Sequence, residues 1–79
     1  MARYAVKGDW SRDDSMSTEH VTVETCTLID KQDHSREYRD GVYRVKARGK
    51  QPRLFKGETA WMHAQSVARD YHSEIERNR

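Results

Sequence analysis

Residues 42–56, VYRVKARGKQPRLFK, contain a strand whose two faces differ in chemistry. Apolar and basic side chains alternate in its first half: Tyr43, Val45 and Ala47 against Arg44, Lys46 and Arg48. Because alternate residues of a strand point to opposite faces of a sheet, this pattern predicts one buried face and one cationic face. Residues 49–52 predict a turn, and residues 53–56 predict a short second strand. An element elsewhere in the chain must cover the buried face.

The covering element is a helix predicted at residues 58–77, with Gly57 or Thr59 as its cap. Apolar residues recur there at intervals of three and four, which is typical of one helix face. They are Ala60, Trp61, Ala64, Val67, Ala68, Tyr71 and Ile75. The small alanines allow a close approach to the sheet, and Trp61 is expected to be a core or anchoring residue.

Residues 20–29, HVTVETCTLI, are rich in β-branched side chains and predict another strand. Strict alternation assigns Val21 and Val23 to one face and Cys26 and Leu28 to the other. This conflict predicts either a bulge or a change of the buried face near the middle of the strand.

The remaining segments complete an α+β domain that spans residues 1–79. Asp40-Gly41 predicts a tight hairpin turn, because both residues accept positive φ angles. Residues 3–7 predict a short edge strand, and residues 8–18 a mobile polar loop with Trp10 as its only anchor. We therefore expect an antiparallel sheet of three to four strands with one long C-terminal helix packed on one face.

Composition limits the class of protein. With 79 residues, of which 34% are hydrophobic and 35% charged, the chain can form one thin core. Its single cysteine, Cys26, excludes an internal disulfide and is expected to be a buried side chain. There is neither a secretory signal pattern nor an apolar run of about 20 residues, so we expect a cytoplasmic protein without membrane contact.

Positive charge is concentrated in residues 36–56, where eight Lys or Arg residues accompany only two acidic ones. These eight are the predicted binding residues: Arg36, Arg39, Arg44, Lys46, Arg48, Lys50, Arg53 and Lys56. Alternate strand residues lie about 6.6 to 7 Å apart, close to the phosphate repeat along a nucleic-acid strand. A cationic sheet face is therefore a candidate surface for nucleic acid, with Tyr38 available for base stacking. This hypothesis requires Arg44 and Lys46 to be uncovered and free of internal ion pairs; otherwise the cations only solubilise one side of the domain.

Residues 36–77 resemble the arm-type DNA-binding domains of tyrosine integrases. The resemblance lies in DGVYRVKARGK, RLFKGET and AWMHAQSVARDY, which give the same order of a basic tyrosine-containing strand, a short basic strand and an alanine-rich helix. It implies a sheet in the major groove of DNA, contacted through Arg44, Lys46, Arg48 and Arg53. No integrase catalytic domain accompanies it, so recombination is not implied.

The chain is also similar in format to small phage-encoded proteins, including anti-CRISPR proteins, since it is one small domain with segregated charge. This similarity implies an inhibitor that docks on a host nucleoprotein complex through its basic strand or its acidic N-terminal region. The thin core and segregated charge also leave a homodimer open.

No catalytic or metal site is expected. The four histidines show no ligand spacing, and His63 and His72, nine residues apart on a helix, would lie on opposite sides. There is no glycine-rich phosphate loop, and the paired carboxylates have no evident pocket. We therefore expect a non-enzymatic protein without a cofactor.

Overall fold

The computed structural model describes residues 3–78. In chain order the elements are β1 (Tyr4–Arg12), β2 (Val21–Asp30), β3 (Glu37–Ala47), β4 (Arg53–Lys56) and α1 (Ala60–Arg77). The four strands form one antiparallel sheet in the order β1-β2-β3-β4, and α1 packs against β2, β3 and β4. The predicted α+β class is confirmed, with four strands. No helix of the described residues is both long and apolar enough to cross a membrane.

The main core lies between the sheet and α1. It consists of Val21, Val23, Tyr43 and Val45 from the strands and of Ala60, Ala64 and Ala68 from the helix. All three alanines are almost fully buried, so the helix backbone lies close to the strands, as the alanine spacing predicts. Burial of Tyr43 raises the pKa of its hydroxyl.

A second apolar cluster lies on the opposite face of the sheet. Cys26, Leu28 and Val42 are buried there, and Tyr4 and Trp10 pack against them. Of the two outcomes predicted for β2, the change of buried face is therefore correct: its first half packs towards α1 and its second half away from α1.

The bulges lie in the neighbours of β2. While β2 advances two residues from Cys26 to Leu28, β3 advances four, from Val42 to Tyr38. β1 likewise has extra residues, between Lys7 and Ser11. Bulges of this kind bend the strand that contains them.

The prediction of a hairpin turn at Asp40-Gly41 is wrong, because both residues lie inside β3. Asp40 does adopt a positive φ of 55°, but this conformation serves the bulge. The connection between β2 and β3 is residues 31–36, where Asp30 donates its backbone N–H to the carbonyl of Arg36 at 3.1 Å.

The prediction of a loop at residues 8–18 is also wrong for residues 8–12. Residues 8–12 belong to β1, and the segment that follows is ordered by its own side chains. Asp13 Oδ1 accepts hydrogen bonds from the backbone N–H groups of Ser15 and Met16 at 3.0 and 3.2 Å. Met16 packs against the main core, so Trp10 is not the only anchor.

The helix begins at Ala60, two residues later than predicted, and Thr59 occupies the N-cap position without a side-chain capping bond. Trp61 is 48% exposed and does not belong to the core. Successive helix residues are rotated by about 100°, and the buried contact follows the line of alanines that starts at Ala60. The helix is therefore in contact along a narrower stripe than the spacing of its apolar residues suggests.

One end of the sheet extends beyond β4, which pairs only with residues 42–45 of β3. At that end the sheet contains only β1, β2 and β3. The described residues form an elongated molecule with extents of 47 × 24 × 18 Å. The carboxylate of Asp30 is buried at this end. It accepts hydrogen bonds from Arg3 Nε at 3.2 Å and from the backbone N–H of Gln32 at 2.8 Å. The Gln32 bond, helped by the Arg3 charge, lowers the pKa of Asp30.

Candidate functional site

The uncovered face of the sheet is organised around one carboxylate. Glu24 of β2 lies directly opposite Arg44 of β3. Its Oε1 atom lies 2.9 Å from Arg44 Nη2 and 2.9 Å from Lys46 Nζ. The Glu24 side chain is only 16% exposed, because the two cationic side chains lie over it.

These contacts fix the charge on the face. The hydrogen bond from Lys46, followed by the bond and charge of Arg44, lowers the pKa of Glu24 despite its partial burial. The guanidinium of Arg44 also lies 4.2 Å from the centre of the Trp10 ring, a cation–π contact. Arg44 and Lys46 are therefore uncovered by α1, as predicted, but they are not free of internal ion pairs.

The other predicted binding residues do not join one surface. Lys56 lies on the uncovered face opposite Val42, and Arg48 is exposed in the following turn. Lys50 instead reaches the helix, where its Nζ lies 2.5 Å from Glu74 and lowers the pKa of that carboxyl. Arg53 is paired with Val45 and therefore projects towards the α1 side.

The two remaining predicted cations lie at the far end of the sheet. Arg36 forms an ion pair with Asp33 at 3.5 Å within the 31–36 turn. Arg39 lies beside the β3 bulge. The eight predicted binding residues therefore do not share one surface, because the turns and the bulge send these side chains in different directions.

The uncovered face nevertheless remains positive. Arg12 lies in the same cross-strand row as Glu24 and Arg44, so four cations accompany Glu24 on this part of the face. They are Arg12, Arg44, Lys46 and Lys56.

A different surface surrounds the start of α1. Trp61 and Met62 are 48% and 52% exposed, and Trp61 separates two concavities. The larger, of about 710 Å³, extends from Trp61 to Tyr38 and Arg39 of the β3 bulge. The smaller continues along the helix to Arg69. We call these five residues the Trp61 surface: Tyr38, Arg39, Trp61, Met62 and Arg69.

Charges of both signs surround the Trp61 surface. The concavities are lined by the acidic residues Asp40, Glu58 and Asp70, and by the basic residues Arg39, Lys56 and Arg69. Sequence reasoning missed this surface because it assigned Trp61 to the core. The adjacent Met62, an apolar residue outside the predicted apolar stripe of the helix, was the available signal.

A second missed feature is a cluster of His20, His72 and Glu76. Their potential ligand atoms lie within 4.8 Å of one another. Sequence reasoning compared histidines along the helix and did not pair His72 with His20, which lies at the start of β2. The spacing of His72 and Glu76, four residues apart on one helix face, was an available signal.

No protein-family model matches the chain, and comparisons with curated proteins and with solved structures also find no match.

Proposed function

We propose that this protein is a non-enzymatic binding module that docks on a partner protein through the Trp61 surface. The observation that carries this proposal is the exposure of Trp61 and Met62 between two concavities. Tryptophan, tyrosine, methionine and arginine are enriched at protein interfaces, and residues of these types dominate binding energies. The five residues of the Trp61 surface are of these four types, and Gln65 and Ser66 line the smaller concavity beside them.

The charges around the surface favour a protein partner over nucleic acid. Asp40, Glu58 and Asp70 line the same concavities as the three basic residues, and they would repel phosphates. A protein with apolar side chains at its centre and mixed charge around them is complementary to this arrangement. We propose that the module acts in the cytoplasm as an inhibitor of the anti-CRISPR type, which blocks a host nucleoprotein complex by protein contact.

The proposal can be tested by capturing the partner protein on the immobilised chain from a nuclease-treated lysate of the host cell, with wild type and matched variants compared. Trp61→Ala should lose the partner. Leu54→Ala, which removes a side chain that is 55% exposed on another part of the surface, should retain it. Both substitutions are at exposed positions, so circular dichroism should show an unchanged fold.

Three results would contradict this proposal. One is retention of the partner by Trp61→Ala, and another is the absence of any protein that depends on Trp61. The third would come from sedimentation analysis of the purified protein: self-association of two copies of this chain that depends on Trp61.

A second candidate function is phosphate binding by the uncovered face. It is favoured by the four cations that lie on this face, but Arg44 and Lys46 do not meet the requirement of being free of internal ion pairs. Arg12 is likewise paired with Asp14 at 3.1 Å. Arg44 and Lys46 would therefore have to be shared between Glu24 and a phosphate. With at most four phosphate contacts, the plot of log affinity against log salt concentration should be no steeper than a slope of about −3.6 for duplex DNA. Fluorescence anisotropy with labelled duplex and single-stranded oligonucleotides measures this slope.

Matched charge variants separate this face from general electrostatic attraction. Lys46→Gln with Lys56→Gln should abolish binding. Lys31→Gln with Arg77→Gln, an equal change of charge at exposed positions elsewhere, should preserve it. An equal loss in both double variants, or no binding at low salt, would exclude the uncovered face as a nucleic-acid site.

A further inference from the structure

His20 and His72 approach each other from distant parts of the chain. His20 precedes β2, whereas His72 lies in the last two turns of α1. Their ring centres are 5.2 Å apart. Side-chain exposures of 20% and 33% leave both rings partly covered but accessible to a small solute.

Carboxylates meet the same edges of both rings. Glu76 Oε1 lies 2.9 Å from His20 Nε2 and 3.9 Å from His72 Nε2. Glu19 Oε1 lies 3.1 Å from His20 Nε2 on another side. The potential ligand atoms of His20, His72 and Glu76 therefore lie within 4.8 Å of one another, and Glu19 places a second carboxylate beside His20.

The separations within the cluster, all below 4.8 Å, can be compared with those between ligands of a tetrahedral zinc ion. With metal–ligand distances of about 2.0 to 2.2 Å, the ligand atoms of such a site are about 3.3 to 3.5 Å apart. The observed separations of 2.9, 3.1 and 3.9 Å lie on both sides of that value.

The other ring nitrogen of His72 contacts the hydroxyl group of Thr18. Thr18 Oγ1 is 3.0 Å from Nδ1 of His72, on the opposite side of the ring from Glu76. This oxygen also accepts the backbone N–H groups of His20 and Val21 at 3.3 and 3.2 Å, so its own hydrogen is available to donate to Nδ1. Binding of a metal ion at Nε2 would require the other tautomer, with the proton on Nδ1.

From this geometry we infer a binding site for a divalent transition-metal ion of the zinc class, formed by His20, His72 and Glu76, with water as the remaining ligand. Imidazole and carboxylate together suit zinc, whereas magnesium and calcium prefer sites made of oxygen alone. A bound ion would join the 13–20 connection to the end of α1, across 52 or more residues of sequence. The site is separate from the Trp61 surface and does not depend on the proposed function.

Titration of the whole protein with Co²⁺, followed by displacement with Zn²⁺, tests the site. Co²⁺ should bind with one-to-one stoichiometry and give the visible absorption of a four-coordinate complex, which Zn²⁺ should abolish. Mg²⁺ and Ca²⁺ should not compete. Zn²⁺ should also raise the midpoint of thermal unfolding, because the ion binds the folded state.

Variants locate the ion. His72→Gln and Glu76→Gln should each weaken Zn²⁺ binding by at least about tenfold, a factor that loss of a second-shell group alone can produce. His34→Gln is the matched control, because His34 is exposed in the 31–36 turn, and it should bind as the wild type does. Circular dichroism of each apo variant tests whether it has folded.

An NMR measurement on the unaltered protein does not depend on the variants. Zn²⁺ should shift the ¹⁵N resonances of Nε2 in His20 and His72 and leave those of His34 and His63 in place. The proposal would be overturned by the absence of saturable one-to-one binding. Unchanged affinity in folded His72→Gln and Glu76→Gln, or ¹⁵N shifts confined to His34 or His63, would also overturn it.

Discussion

At the scale of single residues, Glu24 determines how the charge of the uncovered face is arranged. One carboxylate holds Arg44 and Lys46 side by side, and these two cations would otherwise repel each other. The same contacts lower the pKa of Glu24, so its ionised form is stabilised by folding.

Glu24→Gln should therefore lower the free energy of unfolding at pH 7. A carboxyl whose pKa is lowered in the folded state contributes stability above its unfolded pKa of about 4.3, and loses it as the pH falls through the folded pKa. The difference between wild type and Glu24→Gln should thus shrink on acidification through this range. Urea unfolding at a series of pH values measures it, with exposed Glu58→Gln as the control. A difference that does not vary with pH would argue against the ion pairs.

Gly41 shows a different constraint, which is space. A Cβ atom at this position would lie 2.9 Å from the Cβ and carbonyl oxygen of Tyr38, and 3.3 Å from the Cβ of Leu28. The bulge in β3 brings these atoms so close together that only glycine fits.

Gly41→Ala should destabilise the protein by roughly 1 to 3 kcal/mol, the usual range for overpacking, since a backbone atom is among those that must move. Gly49→Asn is the comparison. Gly49 has a φ of 77° with open space around it, a conformation that asparagine tolerates, so the change there should be much smaller. Urea unfolding compares both with the wild type, and equal stabilities would contradict a close-packed bulge.

At the scale of elements, α1 is held to the sheet by small residues. Ala60, Ala64 and Ala68 are its buried positions, and Ala64 is fully inaccessible. Larger side chains of the helix lie beside this line instead of under it. The distance between helix and sheet is therefore set by methyl groups.

Ala64→Leu should overpack this contact and lower the free energy of unfolding by roughly 1 to 3 kcal/mol. Ser73→Leu introduces the same side chain at an exposed position of α1 and should change stability by no more than about 0.5 kcal/mol. Chemical denaturation of both variants measures the difference. Similar effects would mean that the helix can move away from the sheet without a loss of free energy of unfolding.

The elements themselves could be predicted because their signals are local. Alternation along residues 42–48 and the alanine spacing of α1 depend only on near neighbours in sequence. The role of Asp40-Gly41 could not be predicted, because hairpin turns and bulges both use positive φ angles and only the pairing partners distinguish them. The ion pairs of Glu24 and the approach of His20 to His72 likewise depend on strand register and on packing between distant segments.

At the scale of the whole molecule, two small apolar clusters occupy opposite faces of one sheet. Cys26 belongs to the cluster on the face opposite α1 and is only 5% exposed. Its Sγ lies 3.2 Å from the carbonyl oxygen of Lys7, to which the thiol donates. Reaction at this sulfur therefore requires the second cluster to open.

Labelling of Cys26 by a thiol reagent should be slow in the native protein and should accelerate with urea as the sheet unfolds. A comparison is Ser73→Cys in a Cys26→Ala background, which places a thiol at an exposed position of α1 and should react at once. Mass spectrometry follows both reactions. Equal native rates for the two thiols would show that the second cluster does not protect Cys26.

The three-stranded end of the sheet is secured in another way. A buried carboxylate and its polar partners hold it, whereas the helix end is held by hydrocarbon contacts. Protonation of Asp30 removes the charge that Arg3 neutralises, and its lowered pKa means that this stabilisation disappears on acidification. Acid that reaches below the ordinary aspartate pKa of about 3.9 should therefore loosen one tip of the molecule while the other stays closed, so that β2 is a single strand with one acid-labile half and one acid-resistant half.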